Sequence, residues 1–428
     1  MQVTEPAPPP GPVGRNVAVA TVARGFMSAG RALAGVTIPV YLAIEGYSAT
    51  RLGVLFAVVA VTAMAISVSV GVLSDRLGWR FFLVVVPLCA AGAAVAYATS
   101  VSPLVVFVGA ALGSFGRGGG AGGGTVGPYQ PAEQALIAAS VDAASRTKTF
   151  GRLAFASSLG ALGGGLLAGV LAPGHPGRAV ALAAYRPVFL ALAACAVVAG
   201  LLALAIVEPP RLPGESRARG PFLPRRSAGL LHRLWVTNTL NGASMGLSGP
   251  FLTYWLYRRF GVGANEIGVL FAVVNATSTV SNLSAARIAR RFGLVRAATC
   301  LRAVVALLVV PMVLAPSFLV AGVILLMRMA AQRVVMPLRQ SYVMGMAAPE
   351  ERARVAALSI LPAQGASAVT PTLAGELFDH VALAAPFLLA GVLQLANAVA
   401  FFAFFHNRAP EEERVASAIP PAARDAAH

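Results

Sequence analysis

Eight ionisable residues stand inside long apolar stretches of this chain: Arg24, Arg31, Arg117, Arg302, Arg328, Arg333, Arg339 and a single acid, Glu133. A charge at the centre of a membrane helix costs about 2.5–3.5 kcal/mol on insertion scales. Such residues are therefore read first as functional, facing a partner or water. Glu133 and Arg339 occupy equivalent places in P-A-E-Q at 131–134 and P-L-R-Q at 337–340. Three readings stand. The two form an ion pair that gates the cytoplasmic mouth. Or Glu133 is a proton site that loses its pairing when neutralised. Or the charges are a static pair or snorkel outward. Arg117 and Arg328 lie nearer mid-depth and complete the gate or proton-coupling candidates.

Arg24 is placed where it can snorkel to the cytoplasmic surface. Arg31 lies seven residues on, so on the same helix face, deep enough to meet an anionic substrate group. Asn238, Asn241, Gln134 and Gln340 complete the set expected to line a substrate cavity. For the asparagines, hydrogen bonding between helices is the competing reading. The glycine run at 118–124, broken only by Ala121, continues Thr125-Val126-Gly127-Pro128. A phosphate-binding loop needs a Lys-Ser/Thr pair at that point, so close packing or a bendable helix is expected instead. No histidine falls mid-membrane, and Cys89, Cys195 and Cys300 are expected as apolar packing residues. Neither a metal-ligand set nor a nucleophile–base pair stands out. No enzyme activity, metal or cofactor is expected.

The elements that must position these groups follow from composition. The chain has 428 residues, 57% of them hydrophobic and only 11% charged, against about 25% charged in a soluble domain. Apolar blocks of about 20 residues span the hydrocarbon as helices. They are expected at 19–44, 52–74, 81–99, 103–138, 153–172, 187–207, 234–257, 267–286, 297–314, 317–346, 355–375 and 384–405. The expected fold is an all-α integral membrane protein with twelve transmembrane helices in two pseudo-symmetric six-helix bundles. Those bundles are 19–207 and 234–405, with a cytoplasmic tail at 1–18, a cytoplasmic linker at 208–233 and a cytoplasmic tail at 406–428. No removable signal peptide is expected ahead of the first span. The net charge of +17 is read as membrane topology rather than nucleic-acid binding, with +10 in cytoplasmic segments and +1 in external ones, as the positive-inside rule requires. Seven arginines and one acid leave the spans themselves at +6.

The two halves repeat. GVLFAVV occurs at 53–59 and again at 268–274, and 51–78 aligns without a gap to 266–293 with eleven of 28 positions identical. Pro39 pairs with Pro250 and Arg117 with Arg328 at nearby offsets. Internal repeats of this kind are typical of secondary transporters, whose substrate site lies near the repeat interface.

Residues 71–83 read GVLSDRLGWRFFL, between the second and third spans. Gly71, Leu73, Asp75, Arg76, Gly78 and Arg80 resemble the loop signature of the major facilitator superfamily, G-x-L-a-D-r-x-G-r-k, with Trp79 replacing a basic residue. The resemblance implies that this loop clasps the two halves in one conformation and loosens in the other. Asp75 is the anion expected to face a helix N-terminus or an arginine. In the fifth span Gly160, Gly164 and Gly165 resemble the G-P-x-x-G-G motif of drug/proton antiporters, with Ala161 in the proline's place. Arg117 and Arg328 match the place of a membrane arginine found in many antiporters of the superfamily. The resemblance implies a secondary active transporter of a small organic molecule, working by alternating access as a proton-coupled exporter. It would be a monomer in a bacterial cytoplasmic (inner) membrane, with both termini cytoplasmic and the lipid bilayer as its surroundings. Two alternatives stay open: a proton-coupled importer of an anionic metabolite, and a non-transporting sensor or partner protein on the same scaffold.

Overall fold

The computed structural model describes residues 12–100, 102–115, 127–141, 143–175, 177–208, 226–346 and 351–406, and the regular elements among them are all helical. In chain order they are α1 (Pro12–Ile44), α2 (Ala49–Leu77), α3 (Trp79–Thr99), α4 (Pro103–Gly113), α5 (Gln130–Ser140), α6 (Ala143–Leu171), α7 (Ala181–Leu204) and α8 (Ala228–Ser248). There follow α9 (Leu252–Phe260), α10 (Ala264–Phe292), α11 (Leu294–Leu307), α12 (Val309–Val313), α13 (Phe318–Met346), α14 (Arg352–His380) and α15 (Ala385–Phe405). Among the described residues eight stretches are long and apolar enough to cross a membrane, and two shorter helices are apolar too. Large aliphatic side chains are displayed outward, with Val170 at 82% and Leu319 at 75% exposure. In water that pattern would be an aggregation hazard; in hydrocarbon it is the solvated face.

Several helices depart from the expected spans for local reasons. Helix α1 is already helical at Pro12, where the described residues begin, ahead of the expected span's start near residue 19. The seventh expected span is two helices, α8 and α9, separated at Gly249-Pro250-Phe251, where Pro250 removes a helix donor and clashes with the preceding turn. Within the fourth, the described residues hold α4 and α5, and the glycine run at 118–124 lies outside the described residues. Helix α4 ends on Ser114, in the left-handed region at φ 53°.

The chain divides into two compact units. Unit 1 holds Met1–Glu45, Val58–Glu215 and Gly263–Ala272; unit 2 holds Gly46–Ala57, Ser216–Val262 and Val273–His428. In unit 1, α1 packs on α6 and α7, and α3 packs on α7. Glycine sets the α1–α6 approach. A Cβ at Gly160 would strike the carbonyl of Gly25, and one at Gly164 the carbonyl of Ala29. Ser28 donates to the Ser157 carbonyl across the same seam at 2.6 Å. Unit 2 repeats the arrangement with α8 on α14 and α15, and α11 on α13 and α15. There a Cβ at Gly242 would strike the Ala363 carbonyl. Each GVLFAVV copy also opens on a glycine at a close approach within its own unit. Gly53 meets Pro371 and Thr372 in unit 2, and Gly268 meets Gly165 and Ala168 in unit 1.

Candidate functional site

The centre of unit 1 is a buried ion pair. Tyr129 precedes α5, Pro131 lies in its first turn, and Glu133 is the acid of that turn. The positive end of the helix favours a carboxylate there. Arg24 reaches Glu133 from α1 in a bidentate fork, Nε to Oε1 at 2.8 Å and Nη2 to Oε2. Glu133 is 2% exposed and Arg24 8%, so Arg24 does not snorkel as the sequence suggested. A guanidinium fork matches a carboxylate edge, and this match outweighs the short path from residue 24 to the surface.

Tyr129 is buried beside the pair and interacts electrostatically with Glu133, Arg31 and Arg24. Arg31 is half-buried on the same face of α1, and a Cβ at Gly127 would lie 3.3 Å from its Nη2. The walls around the pair are apolar: Ala23 and Met27 of α1, Leu83 and Pro87 of α3, and Ala199 and Ala203 of α7. In such low-dielectric surroundings a change of one charge is felt strongly. Removing one partner of a buried pair costs about 3–5 kcal/mol, because the other is stranded.

Unit 2 holds a different arrangement at the places the repeat makes equivalent. Arg339 of α13 is half-buried, and its guanidinium acts electrostatically on Arg302 of α11. Arg302 is 2% exposed, donates from Nη1 to Asn397 Oδ1 at 3.2 Å, and lies 4.4 Å from the centre of the Phe401 ring. Arg328 is buried and donates from Nε to the Val305 carbonyl at 3.3 Å. Asn238, expected in a substrate cavity, is buried with its amide given to the Ser359 carbonyl. Its neighbour Asn241 is half-buried. Gln134 is exposed. Arg117 and the side chains of Gln340 and Asp75 lie outside the described residues.

The loop motif is met by a residue that the sequence places in the linker, Glu208. Gly78 takes φ 95° between α2 and α3, a conformation that glycine adopts without steric cost. The carboxylate at the N-terminus of α3 is that of Glu208, whose Oε1 accepts from the Arg80 N–H at 2.6 Å. A Cβ on Gly78 would come within 2.7 Å of that oxygen. Just before Glu208, Asn16 clamps Val207 through both its amide nitrogen and oxygen, at 2.6 and 3.0 Å. The start of α1, the end of α7 and the start of α3 are thus tied together in unit 1. Arg76 and Arg80 have exposed side chains, and Gly71 makes only ordinary contact with Pro131. The signal for Glu208 was present as the only acid between Val207 and a proline pair, but nothing local links it to residue 80.

In unit 2, Asp379 near the end of α14 performs a similar task for α2. Its oxygens accept from the N–H groups of Ala49 at 3.1 Å and Thr50 at 2.7 Å. Burial pushes its carboxyl upward, and the donors of Thr50 and Ala49 outweigh that, holding it below the usual carboxylate range.

A family model described as Major Facilitator Superfamily matches residues 20–233 and again 234–425. A search of curated proteins finds no match. Among solved structures the chain is similar to the nucleoside transporter NupG, at 13% identity over 91% of this chain and 98% of that one, with a TM-score of 0.67. It is similar to the xylose transporter XylE from E. coli in its inward open conformation, at 16% identity over 91% and 95%, with a TM-score of 0.69. It is also similar to a bacterial homologue of the iron transporter ferroportin in an inward-facing state, at 16% identity over 91% and 98%, with a TM-score of 0.66. Identities this low carry the fold and not the cargo. With the family matched in both halves, this multi-pass helical membrane protein belongs to the Major Facilitator Superfamily.

Proposed function

We propose that the chain is a secondary active transporter that exports a small organic molecule from the cytoplasm in exchange for protons. The observation that carries this reading is the Arg24–Glu133 pair, sealed in an apolar wall within unit 1. Protonation of Glu133 removes the charge that holds Arg24. A lone guanidinium in that wall is then unstable, and the helices that carry the pair favour a different arrangement. Pairing with Arg24 supports the proton-switch reading of Glu133 over a gate with Arg339. The export reading rests on the likeness of Gly160, Gly164 and Gly165 to the antiporter motif; in α6 these glycines seat α1 and the start of α10. Twelve spans, two six-helix halves, cytoplasmic termini and a monomer in a bacterial inner membrane complete the proposal.

A ligand is first found by thermal-shift screening of small organic molecules in detergent, where binding raises stability by mass action. Proteoliposomes loaded with that ligand are then given a pH gradient. Antiport moves the ligand against the proton flow. Movement of both in the same direction would make the protein an importer by symport and overturn the export reading.

A further inference from the structure

The buried donors of unit 2 do not balance. Arg302 is almost fully buried, as are Asn397 at 0% and Gln394 at 3% exposure. Among the described residues, Arg302 Nε, Arg339 Nε, Asn397 Nδ2 and Gln394 Nε2 are buried with no hydrogen-bond partner. The Thr299 hydroxyl, one turn before Arg302, is unpartnered too. Four of these five atoms can only donate, and the hydroxyl can donate as well.

They converge in the fold. Asn397 and Phe401 both touch Arg302. Gln394 lies one turn before Asn397 on α15. One turn further back, a Cβ at Gly391 would lie 3.4 Å from the Ala306 carbonyl of α11. Arg339 comes from α13, which packs along α11. Two like charges in a buried place repel, and neither can readily shed its proton, since guanidinium remains charged at any ordinary pH. The Phe401 face offsets part of the charge of Arg302 but accepts none of its N–H bonds in the guanidinium plane. Asn397 Oδ1 is the one protein acceptor that Arg302 has among the described residues. An apolar core would omit these groups, and a structural network would supply a carboxylate, as unit 1 does.

We infer that Arg302, Arg339, Asn397 and Gln394 form a binding site for an oxyanion, a carboxylate or phosphate group entering between α11, α13 and α15. Its planar or tetrahedral oxygens would accept from the guanidinium Nε groups and the two amides together. The inference goes beyond the proposed proton coupling and does not depend on it. The same chemistry fits a carboxylate or phosphate carried by the cargo and the phosphate of an anionic lipid.

The test uses the full chain in nanodiscs of zwitterionic phosphatidylcholine, titrated with benzoate or inorganic phosphate against chloride at equal ionic strength, and separately in discs containing phosphatidylglycerol. The expected result is a saturable rise in Tm with an oxyanion in at least one arm. Soluble probes acting in phosphatidylcholine indicate a cargo group; phosphatidylglycerol acting alone indicates a lipid. In both cases Arg302→Gln and the half-buried Arg339→Gln lose the rise. Arg302→Met is expected to have a Tm equal to or above that of the parent in chloride, because an unbalanced charge has been removed. Absence of a saturable rise in every arm, or an equal rise in Arg302→Gln and Arg339→Gln, would overturn the inference. Loss of proton-driven transport in Glu133→Gln would leave it standing.

Discussion

The two units solve the same problem with opposite chemistry. In unit 1 a buried arginine meets a buried carboxylate, and the pair is close to self-sufficient. In unit 2 the place equivalent to Glu133 is Arg339, and at the offset relating Pro39 to Pro250 the place equivalent to Arg24 is Trp235. Trp235 uses its ring N–H on the Leu358 carbonyl at 3.0 Å, so both members of the pair have been exchanged. Backbone packing repeats, with glycine seams at Gly160 and Gly242, while the charge pattern does not. Repeated helices thus supply a common frame, while the buried charges differ, which is the basis of the proton switch proposed for one unit and the anion site inferred for the other.

The largest effect that could break this comparison lies in the pair itself. Arg24→Met strands Glu133 and is expected to lower stability by about 3–5 kcal/mol. The double variant Arg24→Met, Glu133→Leu should recover most of that loss, since both charges leave together. Denaturation of the purified variants in a mild detergent checks this. A single variant as stable as the parent would mean that the pair is not sealed from water. Arg302→Met in unit 2 is the contrasting case, expected to keep a Tm equal to or above that of the parent in chloride.

A smaller effect tests the shared frame. Gly160→Ala puts a methyl group into the backbone of α1 at Gly25, and Gly242→Ala does the same at Ala363 of α14. Overpacking of this kind costs about 1–3 kcal/mol. Similar losses of Tm in the two variants would support equivalent seams, and a loss confined to one would separate them.

The smallest effect concerns the helix-end carboxylates. Asp379 has its carboxyl held below the ordinary range by the Thr50 and Ala49 donors. Its contribution is therefore complete above the pKa of an unfolded aspartate and is lost as pH falls through the lower folded value. Asp379→Asn should reduce stability slightly at neutral pH and converge with the parent in acid. A constant difference across that pH range would remove the charge from the explanation.

Much of the frame was legible in the sequence. Low charge, long apolar blocks, the GVLFAVV repeat and the loop signature pointed to the fold, because hydropathy and small-residue packing are local properties. The partner of Glu133 was not legible. Residues 24 and 133 are 109 positions apart, and the repeat drew attention to Arg339 because it compares positions rather than contacts. Glu208 was missed for the same reason, its target N–H lying on residue 80, and a backbone donor leaves no trace in residue type. Asn397 and Gln394 drew no expectation from the sequence, since a lone amide in an apolar helix carries no local signal of a site. Only the arrangement of unpartnered donors around Arg302 marks them.

The most direct test of the proton switch separates coupling from translocation in one preparation. Parent and Glu133→Gln proteins are reconstituted side by side with the ligand identified by thermal shift. Exchange of labelled for unlabelled ligand without a gradient is compared with accumulation driven by a pH gradient. Glutamine keeps an oxygen for Arg24 but cannot lose or gain the proton. The variant should therefore exchange ligand like the parent yet accumulate none when the gradient is imposed. Gradient-driven accumulation equal to that of the parent would contradict the role given to Glu133.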